Sequence, residues 1–369
     1  MRIGVDMAAT AGQKSGLGFY VENVVRNMQD ILKEERVDSS NSDEIVEFHT
    51  IQKNLRTPQR ILWDQYGVRA QAAMKKVDTL FVPAFSTPRT KKSVVMTAHD
   101  IYGILYPEQF AGRISSYYWT KLLPQSMKRA EHLICISEYT KQSIASNLDI
   151  TEKNMTVVPL AASSAHRIIQ NQQWLADRLK ECGITGAFLL SVGTLEPRKN
   201  FARLIEAFAF ANRSIVREDG TEEPIQLVIV GKKGWETDEI FNTMKKYNLE
   251  KTVVWLDYVT EDQKIALYNT CAAAIFPSIF EGFGLPPLEA MQCGAPVAVA
   301  NNTSMPEVVG DAGLLFNPFE IEDIRARINY LLENPATRKD LRSKSIQHTK
   351  QFSWRTTSEK TLDIIRKMG

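Results

Sequence analysis

The stretch IFEGFGLPPLEAM, Ile279 to Met291, carries two carboxylates, Glu281 and Glu289, with seven residues between them. Gly282 and Gly284 lie in that interval, followed by Pro286 and Pro287. Proline suits the first turn of a helix, whose N–H groups have no helical partner. The pattern predicts a helix from about Pro286 to Gln292 or Cys293. Gly294 fits the left-handed position after it, and Pro296 prevents continuation. Glu289 is then expected in the first helical turn, and Glu281 on the loop before it. Glycines let backbone N–H groups approach a ligand, and a helix N-terminus attracts an anion such as phosphate. Carboxylates beside that anion would accept hydrogen bonds from sugar hydroxyls. A ribose, a diphosphate and a second sugar, the parts of a nucleotide sugar, match that order. A single glutamate in a first turn needs no explanation beyond the helix dipole. The full arrangement of two glutamates, two glycines and two prolines does.

Other stretches offer chemistry at similar places. SVGTLEPRKN, Ser191 to Asn200, ends a strand and places Arg198 and Lys199 just before a helix. Cations oppose the dipole there, and a bound diphosphate would explain them. His99 and Asp100 follow the strand SVVMTAH and invite an acid–base reading, although a strand-end histidine is commonly structural. Gly16 and Gly18 open a helix after the first strand. They do not form a dinucleotide fingerprint, because Val21 stands at the third glycine position. Ser137 reads as a helix N-cap.

The elements that must hold these residues alternate along the chain. Strands are expected at 2–6, 45–50, 79–83, 93–99, 132–137 and 155–160 in the first half. In the second half they are expected at 188–193, 225–231, 252–257, 272–278, 296–300 and 313–316. They are near-continuous apolar runs, which favours parallel sheets covered on both faces. Alternation with amphipathic segments implies an α/β protein of two doubly wound domains. Residues 217–223, REDGTEE, read as a solvated loop. A small, polar segment from Leu160 to Gln173 marks a boundary. The expected domains are 1–165 and 166–352, with a C-terminal helix, 353–369, returning to the first. Phe352 and Trp354 mark that return.

The chain has 369 residues, room for two cores, and its net charge of +2 gives no case for a nucleic-acid partner. Cys135, Cys182, Cys271 and Cys293 form no C-x-x-C pair and read as free thiols in a reducing compartment. No run approaches the apolar length of a membrane span, and the N-terminus is too polar for a signal peptide. A cytoplasmic protein is expected, with peripheral contact at the inner face of the plasma membrane left open.

The E-x7-E stretch resembles the motif of the family 4 glycosyltransferases, retaining enzymes of the GT-B architecture. That architecture is two facing Rossmann-like domains with an interdomain cleft. The resemblance runs from SGLG to the FSW tail. It implies that Glu281 lies near the donor sugar and that Glu289 holds the nucleotide ribose. Phe283, Gly284 and Leu285 would contact sugar and phosphate through their backbone. Arg198 and Lys199 would hold the diphosphate, with Glu196 ordering their loop and Gly193 opening it. Gly16 and Gly18 would face the donor phosphate, and His99 the sugar near its reacting carbon. Asp100 would either orient His99 or meet the acceptor. HDIYGILYP is similar to polysaccharide mannosyltransferases and makes GDP-mannose the first choice of donor. Other nucleotide sugars remain open, and the acceptor is a glycan or lipid-linked glycan. No cofactor is expected. With no D-x-D segment, metal-independent transfer is expected. Lys91, Lys92, Arg113, Lys121, Lys128 and Arg129 with Tyr117, Tyr118 and Trp119 could form a membrane-facing patch or a solvated helix face. Two other classes fit the architecture: a nucleotide-sugar 2-epimerase and a non-catalytic sugar-nucleotide-binding subunit.

Overall fold

The computed structural model describes residues 1–12, 16–38, 42–50, 55–110 and 112–369. The chain divides into two compact units, Met1–Ala161 with Phe352–Gly369, and Ala162–Gln351.

The first unit is built on six strands: β1 Arg2–Asp6, β2 Glu44–Phe48, β3 Thr79–Val82, β4 Val94–Ala98, β5 His132–Cys135 and β6 Met155–Val157. All pair in parallel in the order β2-β1-β3-β4-β5-β6. The sheet grows one way from β1 to β2 and the other way from β3 onward. Its topological switch point, where ligands bind in open α/β sheets, is therefore between β1 and β3. The helix Gly16–Asp38 packs beside the final helix Trp354–Met368. Ser353 caps that last helix, its hydroxyl accepting from the Thr356 N–H. Leu362 and Ile365 are buried along it. Ser358 Oγ donates to the Val24 carbonyl, and Arg366 binds Glu35 and Asp43.

The second unit holds β7 Ala187–Val192, β8 Ser214–Val216, β9 Glu222–Val230, β10 Val253–Leu256, β11 Ala273–Phe276, β12 Val297–Ala300 and β13 Gly313–Phe316. Six run parallel in the order β10-β9-β7-β11-β12-β13. Alternate residues serve opposite faces. Leu189, Leu227, Ile229 and Ile275 join one core, with Leu204, Phe208 and Ile328. Phe188, Leu190, Val228 and Phe276 join the other, with Leu267, Met291 and Met305. A sheet buried on both faces explains the near-continuous apolar runs. The switch point lies between β7 and β11.

One expectation is corrected. The segment 217–223 is not only a loop: β8 pairs antiparallel with β9, and Glu222 and Glu223 are already strand. Gly220, at φ 81°, makes the turn that Arg217 and Thr221 close. The stretch between Asn54 and Lys92 holds a helical run, Thr57–Leu62, Trp63–Gly67 and Val68–Met74, whose middle turn is a π-helix. Among the described residues, no helix is long and apolar enough to cross a membrane.

Candidate functional site

At the switch point of the second unit, the loops after β7 and β11 diverge from neighbouring strands. The helix after β11 spans Leu285–Gln292, so it starts one residue before Pro286, and Glu289 sits in its second turn rather than its first. Gly284 enters it at φ 123°, where an added Cβ would meet Met305 Sδ at 3.2 Å. Buried Ser304 braces the loop. Its Oγ lies 2.9 Å from the Glu281 carbonyl oxygen and 2.7 Å from that of Phe283. The Glu281 N–H donates to Thr303 Oγ1 at 3.3 Å. Ser304 and Thr303 lie beyond the motif, and nothing in its spacing pointed to them.

Topology brings the basic loop and this acidic loop together. Lys199 Nζ forms an ion pair with Glu281 Oε1. Arg198 Nη1 lies 3.2 Å from Glu281 Oε2 and 3.1 Å from the Phe280 carbonyl oxygen. Arg198 Nε lies 2.5 Å from Glu196 Oε1. The side chains of Lys199 and Glu281 are only 10% and 12% exposed. Burial pushes the Glu281 carboxyl up. The Lys199 and Arg198 cations, with hydrogen bonds from Lys199 and Ser278, outweigh it and hold the pKa at about 2. Glu196 goes the other way: burial raises it against the pull of Arg198 and Lys199. The structure thus pairs the two expected phosphate-binding cations with Glu281. Lys199 and Arg198 thus face two carboxylates, Glu281 and Glu196, and an incoming diphosphate would compete with these for the two cations.

Gly193 begins the basic loop. An added Cβ there would only touch Lys199 Cδ at 3.4 Å. The sharper requirement is at Gly231, after β9, where a Cβ would stand 1.9 Å from the Gly193 carbonyl oxygen. The backbone of these two loops meets at the strand ends because neither has a side chain in the way.

Glu289 is not part of the Arg198–Lys199 cluster. Lys264 Nζ lies 3.1 Å from its Oε2, the Tyr268 hydroxyl donates to the same oxygen at 3.1 Å, and His166 Nε2 is 3.7 Å away. Lys264 Nζ is also 3.2 Å from Glu261 Oε2, and His166 Nε2 is 3.1 Å from Glu261 Oε1. Burial lowers the Lys264 pKa, but Glu289 and Glu261 reverse this and keep it charged. Burial lowers His166, which stays neutral near pH 7. His166, Lys264 and Tyr268 were not anticipated. Lys264 and Tyr268 share a helix face four residues apart, a signal the sequence did contain.

In the first unit, Gly16 and Gly18 lie in the first turn of the helix Gly16–Asp38, which they open as read from the sequence. The residues just before them lie outside the described set. His99 follows β4. Its Nε2 lies 2.8 Å from the Pro83 carbonyl oxygen. A carbonyl only accepts, so Nε2 carries the proton and Nδ1 has the free lone pair. The Tyr20 ring stands edge-on to it, centroids 4.8 Å apart. Burial lowers the His99 pKa, so the ring is neutral. Asp100 does not hold His99 by a hydrogen bond. Its Oδ1 accepts from the Tyr102 N–H at 3.0 Å, capping the short helix Tyr102–Leu105. Near the switch point of this unit lies an unanticipated buried network. Asp6 Oδ1 accepts from Trp63 Nε1 at 2.8 Å, Ser86 Oγ donates to Asp64 Oδ2 at 2.7 Å, and Arg60 Nη1 is 3.8 Å from Asp64 Oδ1. Burial and the Asp6 charge push Asp64 up to about 8.

The aromatic–basic patch is thinner than expected. Tyr118 is buried core, Lys92 Nζ donates to the Val77 carbonyl at 2.5 Å, and an Arg129 Nη donates to that of Thr87 at 3.3 Å. Tyr117 remains exposed. Ser137 caps its helix as expected, accepting from the Thr140 N–H at 3.0 Å.

The family model described as glycosyl transferases group 1 matches residues 183–348, and that of Glycosyltransferase Family 4 matches residues 16–164. The chain is 31% identical over 284 residues to the O-antigen chain mannosyltransferase B of Escherichia coli, covering 77% of this chain and 73% of that protein. It is 29% identical over 290 residues to the serotype-specific mannosyltransferase WbdA of the same species, but spans only 34% of its length. Among solved structures, Anabaena HepE in complex with UDP and glucose aligns with a TM-score of 0.73 at 17% identity, covering all of both chains. WaaG, a glycosyltransferase involved in lipopolysaccharide biosynthesis, aligns with a TM-score of 0.71 at 15% identity over 98% and 99% of the two chains. Likenesses at this identity concern the fold, and the fold is GT-B.

Proposed function

The chain belongs to the group 1 glycosyl transferases and is a hexosyltransferase; from that premise we propose that it moves mannose from GDP-mannose to a glycan hydroxyl, retaining the anomeric configuration and needing no metal. The observation that carries this reading is Glu281 held between Lys199 and Arg198 at the β7/β11 switch point. As the bond between C1 and the phosphate oxygen breaks, negative charge builds on the β-phosphate. In this reading Lys199 and Arg198 take up that charge, where a metal would serve in other transferases. Glu281, released from them, would accept hydrogen bonds from the sugar, and Glu289 from the ribose. In the same-face route, the acceptor oxygen bonds to C1 and its proton passes to the departing phosphate oxygen. The backbone of Phe283, Gly284 and Leu285 faces the diphosphate in this reading, with Gly193 keeping the loop open. In the first unit, Gly16 and Gly18 offer helix N-terminal N–H groups, and His99 contacts the sugar through Nδ1. Asp100 acts by shaping the Tyr102 turn.

Mannose as the sugar is supported by the names of the relatives, an O-antigen chain mannosyltransferase and a serotype-specific mannosyltransferase. A lipid-linked glycan at the cytoplasmic membrane face is the acceptor we favour, with peripheral contact through exposed groups such as Tyr117. A thermal-shift panel of nucleoside diphosphates and their sugars, with and without chelator, tests the donor and the metal together. GDP and GDP-mannose should each raise Tm by the same amount with chelator as without it. Stabilisation by UDP-sugars alone, or only with a divalent ion, overturns the corresponding part. NMR of the product anomer tests retention, and an inverted product excludes the same-face route.

A further inference from the structure

Three contacts on Glu289 arrive at one atom. Lys264 Nζ, the Tyr268 hydroxyl and His166 Nε2 all approach Oε2. The three groups are well enclosed: Tyr268 is fully buried, His166 is 1% exposed, and the Lys264 side chain is 19% exposed. Lys264 is itself fixed between two carboxylates, Glu261 and Glu289. A carboxylate terminus rotates between two equivalent orientations unless its oxygens are made different. Here they are different, because one oxygen meets a cation and a phenol.

We propose that Lys264, with Tyr268 and His166, is a positioning residue that holds Glu289 by Oε2 and turns Oε1 toward the ribose hydroxyls of the donor. The proposal rests on the reading of Glu289 as the ribose-binding residue. It assigns a role in sugar selectivity to residues outside the E-x7-E motif. His166 is enclosed behind the carboxylate, its ring edge-on to that of Tyr268 with centroids 6.0 Å apart. Tyr268 and Lys264 supply the directional contacts.

The test compares binding of GDP and UDP with that of their 2′,3′-dideoxy forms by calorimetry. Lys264→Met keeps an unbranched side chain, one atom shorter, and removes its charge. It should weaken the ribose form about tenfold and the dideoxy form less than twofold, raising donor KM with kcat nearly unchanged. Tyr268→Phe, which removes only a hydroxyl, should do the same about threefold and guards against a folding defect in the first variant. In a Glu289→Gln background, Lys264→Met should add nothing. Lys264→Arg should restore most of the selectivity. Equal weakening of ribose and dideoxy forms, or no weakening of either, overturns the positioning role while leaving the donor site standing. Failure of the wild-type protein to bind any nucleoside diphosphate removes the donor-site reading, and this inference with it.

Discussion

Glu281→Gln should separate what the carboxylate contributes to stability from what it contributes to binding. The Glu281 pKa falls from its ordinary 4.5 to about 2 because Lys199 and Arg198 outweigh its burial. At about 1.4 kcal/mol per pKa unit, that fall is worth about 3 kcal/mol. A depressed carboxyl contributes stability that is present above 4.5 and lost as pH falls toward 2. At neutral pH the full amount is present in the wild type and absent in the variant. Removing one partner of a buried pair typically costs about 3–5 kcal/mol, which agrees. For a unit of this size, 1 kcal/mol moves Tm by about 2–4 °C, so the variant should melt about 6–12 °C lower. Scanning calorimetry from pH 7 down to pH 3 is the assay. The gap between the proteins should hold to about pH 5 and then shrink. Pyrophosphate or GDP should stabilise the variant more than the wild type, since the ligand no longer competes with the carboxylate for Lys199 and Arg198. A Tm within 2 °C of wild type at pH 7, or equal ligand shifts, would refute the reasoning.

Lys199→Ala should lower turnover about 100-fold or more while the protein stays folded, and unchanged turnover in steady-state assays would remove Lys199 from the transition state. Asp64 is raised to about 8 by burial and by Asp6, so the folded state keeps it neutral and stability is lost as pH rises from 3.8 toward 8. Urea titrations should show Asp64→Asn relieving about 4 kcal/mol of the loss between pH 5 and pH 8; identical pH dependence in the two proteins would show that Asp64 does not carry it. Gly231→Ala should cost at least about 2 kcal/mol, since its Cβ would collide with the Gly193 carbonyl, whereas Gly193→Ala should fold normally. Equal Tm values for these two variants would contradict the contact.

The strand pattern was readable because both sheets are buried on two faces, which makes their apolar runs continuous. Glu281, Arg198 and Lys199 could each be placed at a sheet edge from their own neighbours. Their mutual ion pairing could not, since it depends on β7 and β11 being adjacent. The partners of Glu289 were hidden for the same reason: His166 and Lys264 come from segments far away in sequence. The helical run at 57–74 shows no clean apolar period, and its middle is a π-turn that shifts the buried face. Asp64, buried within that turn, looks like a surface residue until its partner Ser86 is known. The strand β8 was missed because it is only Ser214–Val216 and lies next to a charged turn.

The helix Trp354–Met368 has a consequence for how the protein is made. It supplies Ser358 to the Val24 carbonyl, Arg366 to Glu35 and Asp43, and Leu362 and Ile365 to the interior of the first unit. The first unit is thus sewn from both ends of this stretch of chain, while Ala162–Gln351 is continuous. During synthesis the inserted unit can finish folding while the earlier one still shows bare apolar surface on its helix Gly16–Asp38. Translation order and completion order are inverted: the first unit begins first and closes last.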